Sequence, residues 1–364
     1  MLRSLFPSRT VATYMARLFL VRTFAILFAL ILVMQALDLL SASGRVLAVP
    51  GNGNAEVWHY LTLRLPQIAG FFPPFAVLLG TILTLSTMNQ NSEIIALRAS
   101  GMSTHQVLAP LLFASLSVAI LNFAFNDRIV SRSTTTLNQW EKVNFGPLPV
   151  DRGDRRNVWV RNADDLIEVD RVKGKGDAAQ LEGITVFNRV GGTIRGLITA
   201  PLGVRNGDGW RIGPAKQFDV ASGKVTNVPA VMIDIGGSSD RFTLAEVDAE
   251  GLSFGALMSA INELSQSGHP TKALEGSLWH KLSSPLSSVL MPLLGAVAAF
   301  GIARSGKLFI RAAVGMALGF LYFIADNFAL AMGNIGAYPP FLAAWAPFLL
   351  FLLIGEAVLL RSEE

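Results

Sequence analysis

The sequence predicts a membrane α-helical bundle of six transmembrane helices, three and three, with an inserted extracytoplasmic all-β domain of jelly-roll-like character. Three observations lead there. Charged residues make up only 15% of the 364-residue chain, against about 25% in soluble domains, because long stretches carry almost none. Six of those stretches reach the roughly 20 apolar residues that span a bilayer. Between the third and the fourth, apolar and polar side chains alternate instead, with Gly, Asn and Asp at the breaks, the pattern of antiparallel strands and turns.

The spans run Leu18–Leu40, Leu65–Thr87, Val107–Phe125, Leu282–Ile302, Ile310–Met332 and Phe341–Leu360. The first has the composition of a signal peptide, but its apolar run and basic lead-in are long, as in an uncleaved anchor. Basic residues set the orientation. Arg3, Arg9 and Arg17 precede span one, Arg98 lies between spans two and three, Arg304, Lys307 and Arg311 surround the link between spans four and five, and Arg361 ends span six. The opposite loops hold chiefly Arg45 and Arg64. Both termini are therefore expected in the cytoplasm and the β-domain outside the inner membrane. The expected layout is residues 1–127 for the first three helices, 128–279 for the β-domain with a connecting helix, and 280–364 for the last three.

Within the insert, "NVWVRNADDLIEVDRV", "GITVFNRVGGTIRGLITA" and "WRIGPAKQFDV" read as strands. Val158, Val160, Ile167, Val169, Ile184, Val186 and Phe187 are candidates for an apolar interior, without an assignment of each to one sheet face. No helix-period run interrupts these strands, so a sandwich or jelly roll is expected. From Ser253 to Gly268, apolar residues recur at helical spacing. That segment is either an amphipathic helix at the membrane surface or a helix packed on the β-domain.

Several chemistries are excluded. There is no cysteine, hence no disulfide and no thiolate metal site. Four dispersed histidines show no ligand spacing, and no metal is expected. The +4 net charge is spread between apolar spans and forms no patch for nucleic acid. "FGIARSGKLF", Phe300–Phe309, imitates a phosphate loop, but Leu308 stands where a magnesium-binding hydroxyl is needed and an apolar helix precedes it where a strand should. No enzyme signature is present; Asp164-Asp165 is turn chemistry. The chain itself is not expected to catalyse a reaction or to bind a cofactor.

The link "MNQNSEIIALRASGMSTHQV" is more informative. Ser92 is placed to cap a helix, Glu93 sits in its first turn where the dipole favours an anion, and Gly101 can end it in a left-handed conformation. Residues 92–101 thus form a short stub, with Ile94, Ile95 and Leu97 as its apolar side and Arg98 near its end. Such a stub fits a groove on a soluble partner or lies on lipid; pattern alone does not choose. Asp38 in span one and Asp326 in span five are intramembrane carboxylates, which are costly and normally face protein or water. Both, with Lys281 before span four, serve either a substrate path or helix packing.

A resemblance adds to this reading. "FFPPFAVLLGTILTLSTMNQNSEIIALRASGMS" resembles the second span and coupling helix of the LptF/LptG family, the permease subunits of the lipopolysaccharide exporter. "LWHKLSSPLSSVLMPLLG", "GIARSGKLFIRAAVG" and "YFIADNFALAMGNIGAYPPFLAAWAPFLL" are similar to the last three spans on the LptG side of that family. The likeness covers nearly the whole chain, least clearly the β-domain and first span. It implies an ABC transporter in which an LptF-like permease pairs with this chain and an LptB-like ATPase dimer hydrolyses ATP with Mg²⁺ beneath them. An LptC-like protein joins, and lipopolysaccharide drawn from membrane lipid leaves along a bridge of β-jellyroll domains. Glu93 then matches the acidic residue that pairs with the ATPase, with Arg98 a secondary candidate; spans one and five would border the lipid entry. The pattern also departs from the family. Lysines that relatives carry near the outer end of span one are here Gln35, Ser41 and Ala42, with Arg45 the nearest base. Arginines after span three are here Leu137 and Trp140, with Arg128, Arg132 and Lys142 nearby. The charges have moved, or the substrate carries fewer phosphates. Competing readings are a permease of another envelope ABC system, for lipoproteins or peptides, and a membrane-anchored envelope scaffold.

Overall fold

Long apolar helices account for most of the chain, and the break in one of them shows how local sequence shapes the bundle. In the computed structural model, which describes residues 8–147, 155–162, 165–174, 179–191, 193–206, 209–233, 248–266, 270–302 and 308–361, the segment expected as one span over Leu65–Thr87 is two helices. These are α2 (Asn54–Phe71) and α3 (Pro73–Gln90), bent by 51°. Pro73 and Pro74 explain the break, since neither has an N–H to donate and each ring clashes with the preceding turn. The other helices are α1 (Arg9–Leu47), the stub α4 (Glu93–Ala99), α5 (Thr104–Phe125), α6 (Ser131–Lys142), α7 (Phe254–Gln266), α8 (Lys272–Ala296), α9 (Leu308–Asn334) and α10 (Pro340–Arg361). Among the described residues, five helices are long and apolar enough to cross a membrane, or six if α2 and α3 make one span.

The chain forms two compact units. The first comprises residues 1–146, 249–254 and 272–364, the second residues 147–248 and 255–271. The helical unit therefore continues past the expected boundary at residue 127: α5 runs through a π-helical segment, Asn126–Val130, into α6. Small residues let its helices approach closely, as in membrane bundles. A Cβ on Gly295 of α8 would lie 2.9 Å from Thr81 Cγ2 of α3. Gly315 and Gly319, one turn apart on α9, face Ile82 and Leu78 of α3 in the same way. The core combines Leu78, Ile82, Leu85, Leu108, Leu111, Leu290 and Leu294 with buried Thr81, Ser115, Ser283 and Ser288.

Among the described residues, the second unit holds one antiparallel eight-stranded sheet in the order β1-β2-β3-β4-β5-β8, where β8 is Val231–Ile233, with β6 on β4 and β7 (Val225–Val228) on β6. Strand β4 (Thr193–Asn206) carries β6 (Ala215–Asp219) and β5 (Gly209–Ile212) at different points along its length, so the sheet divides there. Strands β2 (Asp165–Lys173) and β3 (Gln180–Val190) supply Ile167, Val169, Val172, Leu181, Ile184 and Val186 to one apolar core with Trp210 and Ile212. Phe187 is excluded from it, because side chains alternate along a strand and its neighbour Val186 points inward; Phe187 is half-buried. Alternation shifts phase at Gly183, whose φ of +64° would strain any other residue, and where the side chain of Asp170 fills the space a Cβ would need. Val158 and Val160 lie in β1 (Arg155–Asn162), whose side chains are outside the described residues. The same holds for Arg3, Asp164, Gly268, His269, Arg304, Gly306 and Lys307; Arg311 is described in its backbone only. Helix α7 occupies the expected amphipathic segment, with Leu257, Ala260, Ile261 and Leu264 buried.

Candidate functional site

Two places in the helical unit combine unusual chemistry with designed local structure: the stub α4 and a polar chamber.

The stub ends as its sequence predicts. Gly101 has φ +92°. The Met102 N–H donates to the Leu97 carbonyl at 3.2 Å and the Gly101 N–H to the Arg98 carbonyl at 2.9 Å, the paired bonds of a Schellman motif. Its start differs from expectation. Ser92 itself sits in the left-handed region, φ 61°, and its side chain caps nothing. The link from α3 is too short for an extended capping residue: only Asn91 and Ser92 separate the helices. Glu93 instead accepts from the Tyr14 hydroxyl of α1 at 3.2 Å and from Asn91 Nδ2 at 3.3 Å. The apolar side expected from Ile94, Ile95 and Leu97 is split. Ile94 is buried and Leu97 packs on the core, whereas Ile95 stands 60% exposed, so one apolar side chain is left for another surface. Arg98 donates through Nη2 to Thr104 Oγ1 at the start of α5. The next residue, His105, contacts Glu356 of α10 at 3.0 Å.

The chamber has a volume of about 810 Å³ and is lined by α1, α2, α5, the π segment, α6, α8 and α9, with the 249–250 turn. Its polar wall is built by partnered side chains. Asp38 accepts from the Tyr60 hydroxyl at 2.7 Å and from Arg64 Nε at 3.1 Å. Arg64 Nη1 donates to Gln67 at 2.6 Å, and Gln67 donates on to Thr134 of α6 at 3.2 Å. The π segment contributes Asn126 and Asp127 to the lining. Such bulges recur at functional sites because they re-aim side chains; Asn126 donates to both the carbonyl and the side chain of Asn122. Asp127 accepts from the Phe254 N–H. Lys281 reaches the Glu250 carbonyl at 3.5 Å. His280 lines the chamber and sits 2.9 Å from Asp326. Asp326 is 4% exposed and does not line the chamber; it acts on it through His280. The apolar wall includes Met34, Leu37, Phe71, Phe72 and Leu330.

Of the residues expected along a substrate path, the structure thus brings Asp38 and Lys281 together in one cavity and sets Asp326 behind it. Arg45, Arg128 and Arg132 are exposed and line no part of it. Arg45 stands 5.6 Å over the Phe145 ring, a cation–π contact worth about 0.5–1 kcal/mol at an exposed site. Ala42, Leu137 and Trp140 are buried in one apolar cluster with Val46, Tyr60 and Phe145.

Sequence reasoning missed Arg64, Gln67 and His280. The signal for the first two was an i, i+3 polar pair straddling the start of span two, within α2; His280 stands next to Lys281. Among the described residues, no group of three or more His, Asp or Glu side chains converges to hold a metal ion. The sheet has a separate cavity of about 660 Å³, lined among others by Ile184, Ala200, Val228, Asp170 and Lys216.

Residues 13–361 match the family model described as lipopolysaccharide export system permease LptF/LptG. The chain is 24% identical over 312 residues to the lipopolysaccharide export system permease protein LptG of Escherichia coli K12, covering 84% of this chain and 85% of that protein. It is 19% identical over 322 residues to LptG of Haemophilus influenzae, covering 86% and 89%.

Proposed function

The chain belongs to the LptF/LptG family of lipopolysaccharide export permeases, and from that membership we propose that it is the LptG-like subunit of an ABC transporter. In this role it takes lipopolysaccharide from the outer leaflet of the inner membrane and passes it to a periplasmic bridge of β-jellyroll domains. The observation that carries the reading is that one helical unit holds both a polar chamber walled by apolar helices and a short, firmly ended helix with a bare Ile95. A lipid with a sugar head group needs the first, and coupling to a separate motor needs the second.

The roles divide accordingly. Six spans, three before the β unit and three after it, hold both termini in the cytoplasm. The stub α4 lies there against an LptB-like ATPase dimer, which uses ATP and Mg²⁺. Ile95 enters a groove of that partner, and Glu93 and Arg98 give it charged contacts. An LptF-like permease pairs with this chain in the membrane, completing the lipid entry beside α1 and α9, and an LptC-like protein continues the β-domain as a bridge. The intramembrane carboxylates Asp38 and Asp326 hold Arg64 and His280 in place at the chamber.

Purification of the full chain from mild detergent, with identification of its bound proteins, tests this. The expected result is an LptB-like ATPase and an LptF-like permease in stoichiometric yield. Recovery with a different ATPase would point to another envelope ABC system, for lipoproteins or peptides. Recovery with envelope proteins alone would leave only a scaffold.

A further inference from the structure

The chamber's charge bears on what can be seated there. Its lining presents three basic side chains, Arg64, Lys281 and His280, against three carboxylates, Asp38, Asp127 and Glu250. The bases are also committed to partners of their own chain. Arg64 gives its Nε proton to Asp38 and one Nη1 proton to Gln67, so its charge is already matched by a carboxylate of its own chain and two of its five donors are in use. His280 faces Asp326, 2.9 Å away. Lys281 bonds the Glu250 carbonyl. Even with His280 counted as a cation, the basic groups of the lining do not outnumber its carboxylates. A phosphomonoester brings about −1.5 to −2 charges at pH 7 into a site where burial makes an unmatched charge expensive. The rest of the polar lining is neutral: Gln67, Asn126, Thr134, Asn138, Ser277 and Ser284.

We propose that this chamber receives a lipid whose sugar head group carries hydroxyls or amines and few or no phosphates. The inference rests on the transport reading and narrows its substrate class. The residues next to the chamber on α1 and α6, Ala42, Val46, Leu137 and Trp140, form a buried apolar cluster and add no charge to it.

The test uses the wild-type complex with its partner permease and ATPase in vesicles. Two probes with identical acyl chains are compared: a bisphosphorylated diglucosamine lipid and the same lipid after removal of both phosphates. Direct binding and stimulation of ATP hydrolysis are both read. The dephosphorylated probe should half-saturate the complex at a concentration equal to or below that of the phosphorylated one, and Glu250→Lys should shift the ratio toward the phosphorylated probe by about fivefold or more. A preference of about tenfold or more for the phosphorylated probe in the wild type, or a ratio unmoved by Glu250→Lys, overturns the proposal. Failure of both probes to bind or stimulate a complex with intact basal hydrolysis overturns the transport reading itself.

Discussion

Glu93 is already engaged within its own chain, by the Tyr14 hydroxyl and by Asn91. An interaction with an ATPase must share or replace those bonds. Losing a charge-assisted contact to a partner costs about 1.5–3 kcal/mol, so Glu93→Ala should lower association with the ATPase by about tenfold or more. Tyr14→Phe should leave association equal or tighter, because it frees the carboxylate. Titrating detergent-solubilised complex with labelled ATPase measures both; equal affinity for wild type and Glu93→Ala would remove Glu93 from the contact. The Asp38–Arg64 pair makes a different kind of prediction. Its side chains are 19% and 37% exposed, between the buried and surface regimes. A double-mutant cycle on Asp38→Asn and Arg64→Gln, read by thermal unfolding in detergent, should give a coupling of about 1–2 kcal/mol, above the surface range of 0–1 and below the cost of a fully buried pair. Neither Arg64 nor His280 was legible as a site residue. Each owes its role to a carboxylate distant in sequence, 26 residues away for Arg64 and 46 for His280, and one-dimensional spacing carries no such information.

Among the elements, α4 is the one most dependent on a single residue. Gly101 alone supplies the left-handed turn that closes it. A β-branched side chain there costs about 1–2 kcal/mol, a large share of what a seven-residue helix can hold. Gly101→Val should therefore speed hydrogen exchange of the Ala96 to Ser100 amides and reduce ATPase stimulation, while the long helices keep their protection. The stop signal of this helix was readable from sequence because glycine's freedom is intrinsic to the residue. The start was not, because whether Ser92 caps depends on the angle at which α3 delivers the chain. The same contrast holds for α2 and α3. Apolar composition located the membrane segment, yet Pro73-Pro74 decided that it is two helices, and hydropathy is blind to a missing N–H. For the packing of α8 against α3, Gly295→Leu should overpack Thr81 and cost about 1–3 kcal/mol; a melting temperature within a degree of wild type would show that the helices can separate freely.

For the molecule as a whole, the division into apolar helices and an alternating insert was legible from composition and period alone, since burial in lipid and burial on one sheet face leave different signatures. Which helix lies at the centre was not. Helix α8 has 78% of its apolar window buried, against 17% for α1, although the two segments look alike in sequence. It packs against α3, α5 and α10, its small residues Gly295, Ser283 and Ser288 giving no hint of that until the partners are seen. A chain ending at residue 248 should accordingly be degraded rapidly in the membrane, and separate expression of residues 249–364 should restore it, as a pulse-chase with quantitative blotting would show. This centrality has a consequence for how the protein is made. The helix that fills the middle of the bundle is synthesised only after the whole insert, about 125 residues beyond Gly146, or about 6–25 s at bacterial elongation rates. During that interval α3 and α5 stand in the membrane with their threonine- and serine-bearing faces uncovered, so the nascent chain is a natural client for whatever insertase or membrane chaperone shelters half-built helices.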